Sequence, residues 1–259
     1  MAEPLRSTGL DWATEPKNRA LVVVEATPGA GVRIVEVCSA KLDEAEIVRR
    51  ANDAACGVLA VDIPFGWPQD FSSFVSAWSP SQGAKALPSL DAFRYRYTDL
   101  EVRRHYKKSP LSVAADRIAL GARKWAEIVQ GQTWGPRVDV IGGRRGPPAP
   151  IVEVYPAASV LAFGESVAGY KNDEVVRERL VDALCRRLNV QVSRADRAAL
   201  VSAGKDSDRT DAFVAALTGL AYLGALEGWE VRLPPAEKKS QVEKEGWIFV
   251  PCPRDAGSA

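Results

Sequence analysis

The sequence predicts an α/β fold in which helices flank a mixed five-stranded sheet and a largely helical insertion follows the fourth strand. Two features of the sequence support this prediction. Apolar, β-branched runs of strand length recur near the N-terminus and again near residue 151, and stretches of helical periodicity separate them and fill the C-terminal third. A chain of 259 residues with 46% hydrophobic residues can bury one sizeable core. We therefore expect a single domain over residues 1–259, with the insertion at approximately residues 66–148.

The N-terminal elements are predicted to be three antiparallel strands. The first runs from Leu5 to Trp12. The second, Ala20–Ala26, is rich in β-branched residues, which favour strands. The Pro and Gly of Thr27–Gly31 are typical of a turn, so Val32–Val37 is predicted as the hairpin partner.

A helix and a buried strand come next. Asp43–Ala55 has a helical pattern, and Gly57–Ile63 is an almost continuous apolar run of the kind found in strands buried on both faces. The insertion contains a helix from about Val113 to Val129, and the sheet resumes with Ile151–Tyr155. Three further helices are predicted over Asp173–Leu188, Ser193–Ser202 and Ser207–Leu226.

Composition excludes several classes of site. The 34 Lys and Arg residues balance 33 Asp and Glu, so attraction to nucleic acid would have to come from a local patch. The single histidine, His105, argues against a catalytic triad or a histidine–metal site. The four cysteines form no C-x-x-C pair, and no stretch has the ~20 apolar residues of a membrane span. We expect a cytoplasmic protein without membrane contact.

Two aspartates lie at predicted strand ends. Asp62 follows an apolar strand and should project at its carboxyl end, where open α/β sheets place their ligands. Asp11 lies at the carboxyl end or in the middle of the first predicted strand. Each also has a simpler interpretation, because an aspartate at such a position can bond its own turn or the amides of a loop.

Two more aspartates, Asp208 and Asp211, are three residues apart and share one face near the start of a predicted helix. Helix capping and the helix dipole would explain them equally well. A cleft that gathers all four acids, however, would need cations to offset their repulsion, and hard oxygen ligands suit Mg²⁺ or Mn²⁺. Glu153 projects from the fifth strand and is either a further metal ligand or the partner of an arginine in the insertion.

Six short motifs occur in a specific order along the chain. They are VDIPFG at 61–66, RYTD at 96–99, LSVAAD at 111–116, EVYP at 153–156, DRTDA at 208–212 and EGWI at 245–248. In this order they resemble the domain-of-unknown-function 429 family, which is regarded as a set of predicted nucleases with an RNase H-like fold. The resemblance covers nearly the whole chain.

The resemblance implies roles for individual residues. A metal-dependent nuclease of this kind, a hydrolase that cleaves phosphodiester bonds of nucleic acid, would hold Mg²⁺ or Mn²⁺ and use Asp208 to complete the metal shell or orient water. The metal ligands would be Asp11, Asp62, Asp211 and Glu153. The substrate-binding residues would be Arg96, Asp99, Asp116 and Lys171.

Two other functions remain open. A small-molecule phosphotransferase of the actin-like superfamily shares the core fold, but it needs glycine turns for phosphate that are not evident here. A noncatalytic nucleic-acid-binding module could use the basic stretch Arg103–Lys108 with its neighbouring tyrosines, although a solvated helix face explains that stretch as well.

Overall fold

The computed structural model describes residues 3–38, 42–53, 55–81, 83, 87–114, 116–201 and 207–254, with the backbone alone for residues 116 and 117. This part of the chain has a mixed α/β fold, as the sequence predicts. The strands are β1 (Leu5–Asp11), β2 (Ala20–Thr27), β3 (Gly31–Cys38), β4 (Val58–Asp62), β5 (Ile151–Val154), β6 (Val190–Gln191), β7 (Trp229–Val231), β8 (Ile248–Phe249) and β9 (Pro251–Pro253). The helices are α1 (Glu44–Ala51), α2 (Gln69–Ala77), α3 (Leu90–Arg94), α4 (Tyr97–Tyr106), α5 (Asp116–Gly131), α6 (Pro156–Ala162), α7 (Glu174–Arg187), α8 (Arg194–Val201), α9 (Asp208–Tyr222) and α10 (Lys239–Glu245).

The main sheet has the strand order β6-β3-β2-β1-β4-β5-β8. β2 pairs antiparallel with both of its neighbours, and every other pairing in this sheet is parallel. The sheet therefore has seven strands instead of the predicted five, because the two-residue strands β6 and β8 extend its edges. Strands this short carry no measurable period in the sequence. β7 and β9 form a separate antiparallel pair.

Helix α9 covers one face of the main sheet and is buried on all sides from Thr210 to Tyr222. Its alanines and leucines pack with alternate residues of β2, β4 and β5 in the larger hydrophobic core. The opposite face packs against α1 and α5, with Leu10, Val61 and Trp125 in a second core. The sheet is thus covered on both faces, as expected for parallel strands.

Several helix boundaries differ from the sequence prediction for local reasons. α1 begins after Asp43, whose side chain caps the helix by accepting a hydrogen bond of 2.9 Å from the Glu46 amide, and it ends at Ala51 instead of Ala55. α9 ends at Tyr222, four residues early, because the chain reverses at Gly224 with φ of 70°.

Four helices, α2 to α5, lie between β4 and β5, in the stretch that the sequence analysis interprets as an insertion. None of the helices in the described ranges has the length and apolar character needed to cross a membrane.

Candidate active site

Two aspartates lie side by side where β1 and β4 end. Asp11 and Asp62 are register partners in this parallel pair, and paired strands are ~4.8 Å apart. Side chains alternate along a strand, so Asp11 shares a face with Gly9, and Asp62 shares one with Ala60. Both of these positions face α9, which places the two carboxylates on the α9 side of the sheet, at its carboxyl edge.

A close approach between α9 and β1 brings the start of the helix to this edge. A Cβ atom on Gly9 would lie 2.1 Å from the carbonyl oxygen of Ala212 and 2.3 Å from the amide nitrogen of Ala216, so only glycine fits there. Toward the other end of the contact, a Cβ atom on Gly219 of the helix would lie 2.1 Å from the hydroxyl oxygen of Ser7 in β1. The first turn of α9, with Asp208 and Asp211, is therefore held beside Asp11.

Asp211 is buried and has three hydrogen-bond or ion-pair partners. The hydroxyl of Tyr170 donates a hydrogen bond of 2.6 Å to its Oδ1 atom. Its Oδ2 atom accepts a hydrogen bond of 3.1 Å from the hydroxyl of Ser207 and lies 3.1 Å from the ammonium nitrogen of Lys171. Three donors thus satisfy both oxygens, as a buried carboxylate requires.

Asp11 and Asp62 are in the opposite situation. Neither has a hydrogen bond or an ion pair with any residue in the described ranges, and both are partly exposed. Burial, followed by the charges of Asp211 and Asp62, raises the pKa of Asp11 well above its usual value. Burial and the charge of Asp211 raise the pKa of Asp62 to about 8. The pair therefore carries negative charge that the surrounding protein does not fully neutralise.

Lys171 is the cation of this cluster. Burial alone would lower the pKa of its ammonium group, but the nearby Asp211 and Asp62 carboxylates raise that pKa above its usual value. The side chain is also 56% exposed, so its ammonium group faces both the acids and the solvent. A cation in this position can contact an anionic ligand that approaches Asp11 and Asp62.

One further acid and two tyrosine hydroxyl groups lie around the pair of Asp11 and Asp62. Asp208, the first residue of α9, is partly exposed, and its charge contributes to the raised pKa of Asp11. Burial and then the charge of Asp62 raise the pKa of Tyr155 to about 12. Burial and the charge of Asp211 also raise the pKa of Tyr170. Both tyrosines therefore stay protonated near neutral pH, and Tyr170 keeps the proton that it donates to Asp211.

A divalent metal ion at this edge would need carboxylate oxygens that are open to it. Within the residues described, no group of three or more His, Cys, Asp or Glu side chains is placed to hold a metal ion. Asp211 is already bound by Tyr170, Ser207 and Lys171, so a metal ion at this residue would have to displace one of these donors or share an oxygen with it. Asp11 and Asp62 do fit, since Mg²⁺ keeps several waters and is commonly bound through only one or two carboxylates together with substrate phosphates.

Glu153 does not join the aspartates. It is the register partner of Val61, whose side chain lies in the core on the face away from α9. There it accepts hydrogen bonds of 2.6 and 2.9 Å from the guanidinium group of Arg96 and one of 2.9 Å from the Phe65 amide. The alternative interpretation of Glu153, as the partner of an arginine, is the one that the structure shows.

Arg96 and Asp99, predicted to bind substrate, lie in the protein interior. Both are 1% exposed, and the Arg96 guanidinium bridges Asp99 and Glu153. In this structure their charges are paired with each other and with Glu153, and neither side chain is open to solvent. Asp116 is the first residue of α5, but its side chain lies outside the described residues.

Three residues that bond the acid cluster or the elements around Arg96 were not identified from the sequence. Tyr170 and Ser207 both bind Asp211, and the only sequence signal for Tyr170 is that it precedes Lys171. Glu245 accepts hydrogen bonds from the amides of Gln69 and Tyr97, at the starts of α2 and α4. It belongs to the last of the six motifs, so its position in a motif was the available signal.

Comparisons with known proteins give one match. A family model described as "Protein of unknown function (DUF429)" matches residues 9–238, which include Asp11, Asp62, Lys171 and Asp211. Searches of curated proteins and of solved structures return no match. The match spans most of the chain and agrees with the resemblance carried by the six motifs. The chain therefore belongs to the DUF429 family.

Proposed function

We propose that this chain is a hydrolase that cleaves phosphodiester bonds of nucleic acid with the help of Mg²⁺ or Mn²⁺. One observation carries the proposal. Asp11 and Asp62 are adjacent, partly exposed carboxylates without hydrogen-bond partners in the described residues, and burial raises the pKa of each. A divalent cation between them would offset the cost of two neighbouring negative charges.

The topology supports the same proposal. Three antiparallel strands, a helix and then a strand parallel to β1 form the opening that led to the RNase H-like prediction, and β1 to β4 have this arrangement. We propose that the fold is RNase H-like, with β6 and β8 added at the edges. The carboxyl edge of the parallel strands, where Asp11 and Asp62 lie, is also where open α/β sheets place their ligands.

Each residue of the cluster has a role in the proposed reaction. Asp11 and Asp62 would hold the ion, which when bound would supply Lewis-acid chemistry toward a phosphoryl oxygen and a water. Lys171 neutralises charge on the phosphate. Asp211 positions Lys171 and is itself fixed by Tyr170. Asp208 adds negative charge at the mouth of the site.

The basic stretch on α4 supports a nucleic-acid contact only weakly. Arg103 and Arg104 each form an ion pair of 2.7 Å on the surface, with Asp91 and Glu101 respectively. Their charges are thus already partly offset, and this observation does not favour a noncatalytic binding module. The proposal therefore depends on the acid pair and Lys171.

A cleavage panel tests this function. Single-stranded, duplex, RNA–DNA hybrid and four-way-junction substrates are incubated with Mg²⁺ or Mn²⁺ and the wild-type protein, Asp11→Asn or Asp62→Asn. Asp70→Asn, which changes an exposed acid in the first turn of α2, is the matched control. We expect cleavage by the wild type and the control, and a loss of more than about 100-fold in both site variants, since even indirect metal partners contribute 10- to 100-fold.

Metal binding is measured separately, by the rise in thermal midpoint on addition of Mn²⁺. Wild type and Asp70→Asn should be stabilised, and Asp62→Asn should not. The proposal is wrong if no substrate in the panel is cut, or if Asp62→Asn cuts as fast as the wild type.

A further inference from the structure

An open cavity of about 600 Å³ lies at the C-terminal end of α9. Its walls come from the end of that helix, from β7 and β9, and from the glycine-rich loop of residues 142–146. Asp208 and Asp211 are at the other end of α9, which has 15 residues and so is ~22 Å long at 1.5 Å per residue. The cavity is therefore separate from the candidate active site.

Three arginines line this cavity, Arg145, Arg232 and Arg254, together with one acid, Glu230. Their formal charges sum to two positive charges. None of the three arginines has an ion pair with an acid in the described residues. Elsewhere on the surface, arginines such as Arg197 are paired with carboxylates. The cavity thus concentrates positive charge that the described part of the protein leaves uncompensated.

The protein holds these arginines in position through contacts other than ion pairs. Arg254 donates hydrogen bonds from Nη2 to the carbonyl oxygens of Gly224 and Trp229, at 3.3 and 3.2 Å. The guanidinium of Arg145 lies 4.9 Å from the centre of the Tyr222 ring. Each guanidinium has five N–H donors, so both side chains keep donors available for a ligand.

Arg232 lies between the cavity and α4. Its guanidinium interacts with the hydroxyl of Tyr106 on that helix, and its Nε atom is closed to solvent and has no hydrogen-bond partner in the described residues. A ligand in the cavity would therefore meet the positive charge of Arg232 without reaching Nε.

The loop that carries Arg145 is also held in place. Asp139 accepts hydrogen bonds of 3.0, 2.8 and 3.1 Å from the amides of Ile141, Gly142 and Arg144, and the hydroxyl of Tyr222 donates to the same carboxylate. The loop is therefore anchored to α9, and binding would require little ordering of Arg145.

We propose that this cavity binds a small molecule that carries a phosphate or pyrophosphate group. Guanidinium groups bind phosphate oxygens in pairs of parallel hydrogen bonds, and two net positive charges match the charge of a phosphate monoester. The volume is within the 300–1,000 Å³ range of small-molecule sites and exceeds that of phosphate alone, so the rest of the ligand also fits. This proposal is independent of the nuclease proposal.

The test is calorimetric titration of the whole protein with inorganic pyrophosphate, with a short single-stranded oligonucleotide as a second arm. Arg145→Ala is the informative variant because its side chain is exposed, so its removal should leave the fold intact. Arg144→Ala is the matched control, since it removes the same charge from the same loop but does not line the cavity. Arg254→Ala is a second cavity variant, with its thermal midpoint measured to confirm folding.

We expect pyrophosphate to bind the wild type, Arg144→Ala and Asp62→Asn with equal affinity. Binding to Arg145→Ala and Arg254→Ala should be about tenfold weaker, the effect of losing one charged hydrogen bond. Retention of binding by Asp62→Asn separates this cavity from the acid site. The proposal is overturned if pyrophosphate does not bind at about 1 mM, if Arg144→Ala weakens binding as much as Arg145→Ala, or if only the oligonucleotide binds.

Discussion

Asp11 and Asp62 are register partners on neighbouring parallel strands, so their carboxylates leave the sheet side by side on the same face. Neighbouring carboxylates repel each other, and partial burial adds to the cost of charging them. Each carboxyl group therefore binds its proton more tightly in the folded protein than in the unfolded chain. Stability and metal binding at this site should both depend on pH.

The first prediction concerns the stability of the metal-free protein. The pKa of Asp62 rises from its ordinary value of 3.8 to about 8 in the folded state, so the folded state binds the extra proton between these values. The stabilisation from the protonated carboxyl is complete below about pH 4 and is lost as the pH rises through about 8. Asp62→Asn should thus match the wild type near pH 4 and become increasingly more stable than it toward pH 8.

Urea unfolding in the presence of a chelator, at intervals from pH 4 to pH 9, measures this difference. Asp70→Asn serves again as the control and should follow the wild type throughout. Parallel stability curves for wild type and Asp62→Asn would contradict the assigned environment of Asp62.

The second prediction concerns the contact between α9 and β1. Gly9→Ala places a Cβ 2.1 Å from a backbone oxygen of Ala212, which cannot move without displacing the helix. We expect a loss of about 3 kcal/mol or more in the free energy of unfolding, at or above the upper end for overpacked sites. Gly131→Ala, where an added Cβ meets nothing within 4 Å, is the control and should leave stability unchanged or slightly raised. Equal stability of the two variants would refute the close contact.

The third prediction concerns the buried arginine. Arg96→Met leaves the carboxylates of Asp99 and Glu153 in the protein interior without their cation. Breaking a buried pair in this way costs about 3–5 kcal/mol. Arg103→Ala removes an arginine from α4, the helix that begins directly after Arg96, but breaks only an exposed pair with Asp91, so its unfolding midpoint should hardly change. A small effect of Arg96→Met in the same denaturation experiment would show that the interior is hydrated at this point.

The fourth prediction concerns Lys171, whose ammonium partly offsets the charges of Asp211 and Asp62. At pH 8 without metal, Lys171→Met should lower stability by about 1 kcal/mol, since the side chain is more than half exposed. Addition of Mn²⁺ should then raise the thermal midpoint more than in the wild type, because the ion meets less competing positive charge. Lys124→Met, which breaks a surface pair with Glu44, should show no such increase. A Mn²⁺ response equal to that of the wild type would argue against Lys171 as the cation of the site.

The sequence was sufficient to predict the strands with a clear pattern of apolar residues and the acids at the ends of those strands. Asp62 was identified because its strand is apolar up to the residue before it, and the structure places it at the end of β4. The two-residue strands β6 and β8 escaped prediction because pairing with a neighbour, and not local pattern, defines them.

The side of the sheet on which Glu153 lies could not be predicted either. A strand's alternation shows which residues share a face, but only the register with β4, where Glu153 pairs with Val61, determines which face it is. The hydrogen bonds of Asp211 could not be predicted from the sequence either. Tyr170 is 41 residues away along the chain, and nothing in the local sequence indicates that the two meet.

β2 is the one strand of the main sheet in the described chain that is antiparallel to the others. The remaining strands of this sheet therefore all have their carboxyl ends at the same edge. The loops that follow β1 and β4 both begin at the edge of the sheet where the acid pair lies. Insertions and substitutions in these loops can change what reaches the pair while the strands that hold it stay the same. One scaffold can in this way present the same two carboxylates to different substrates.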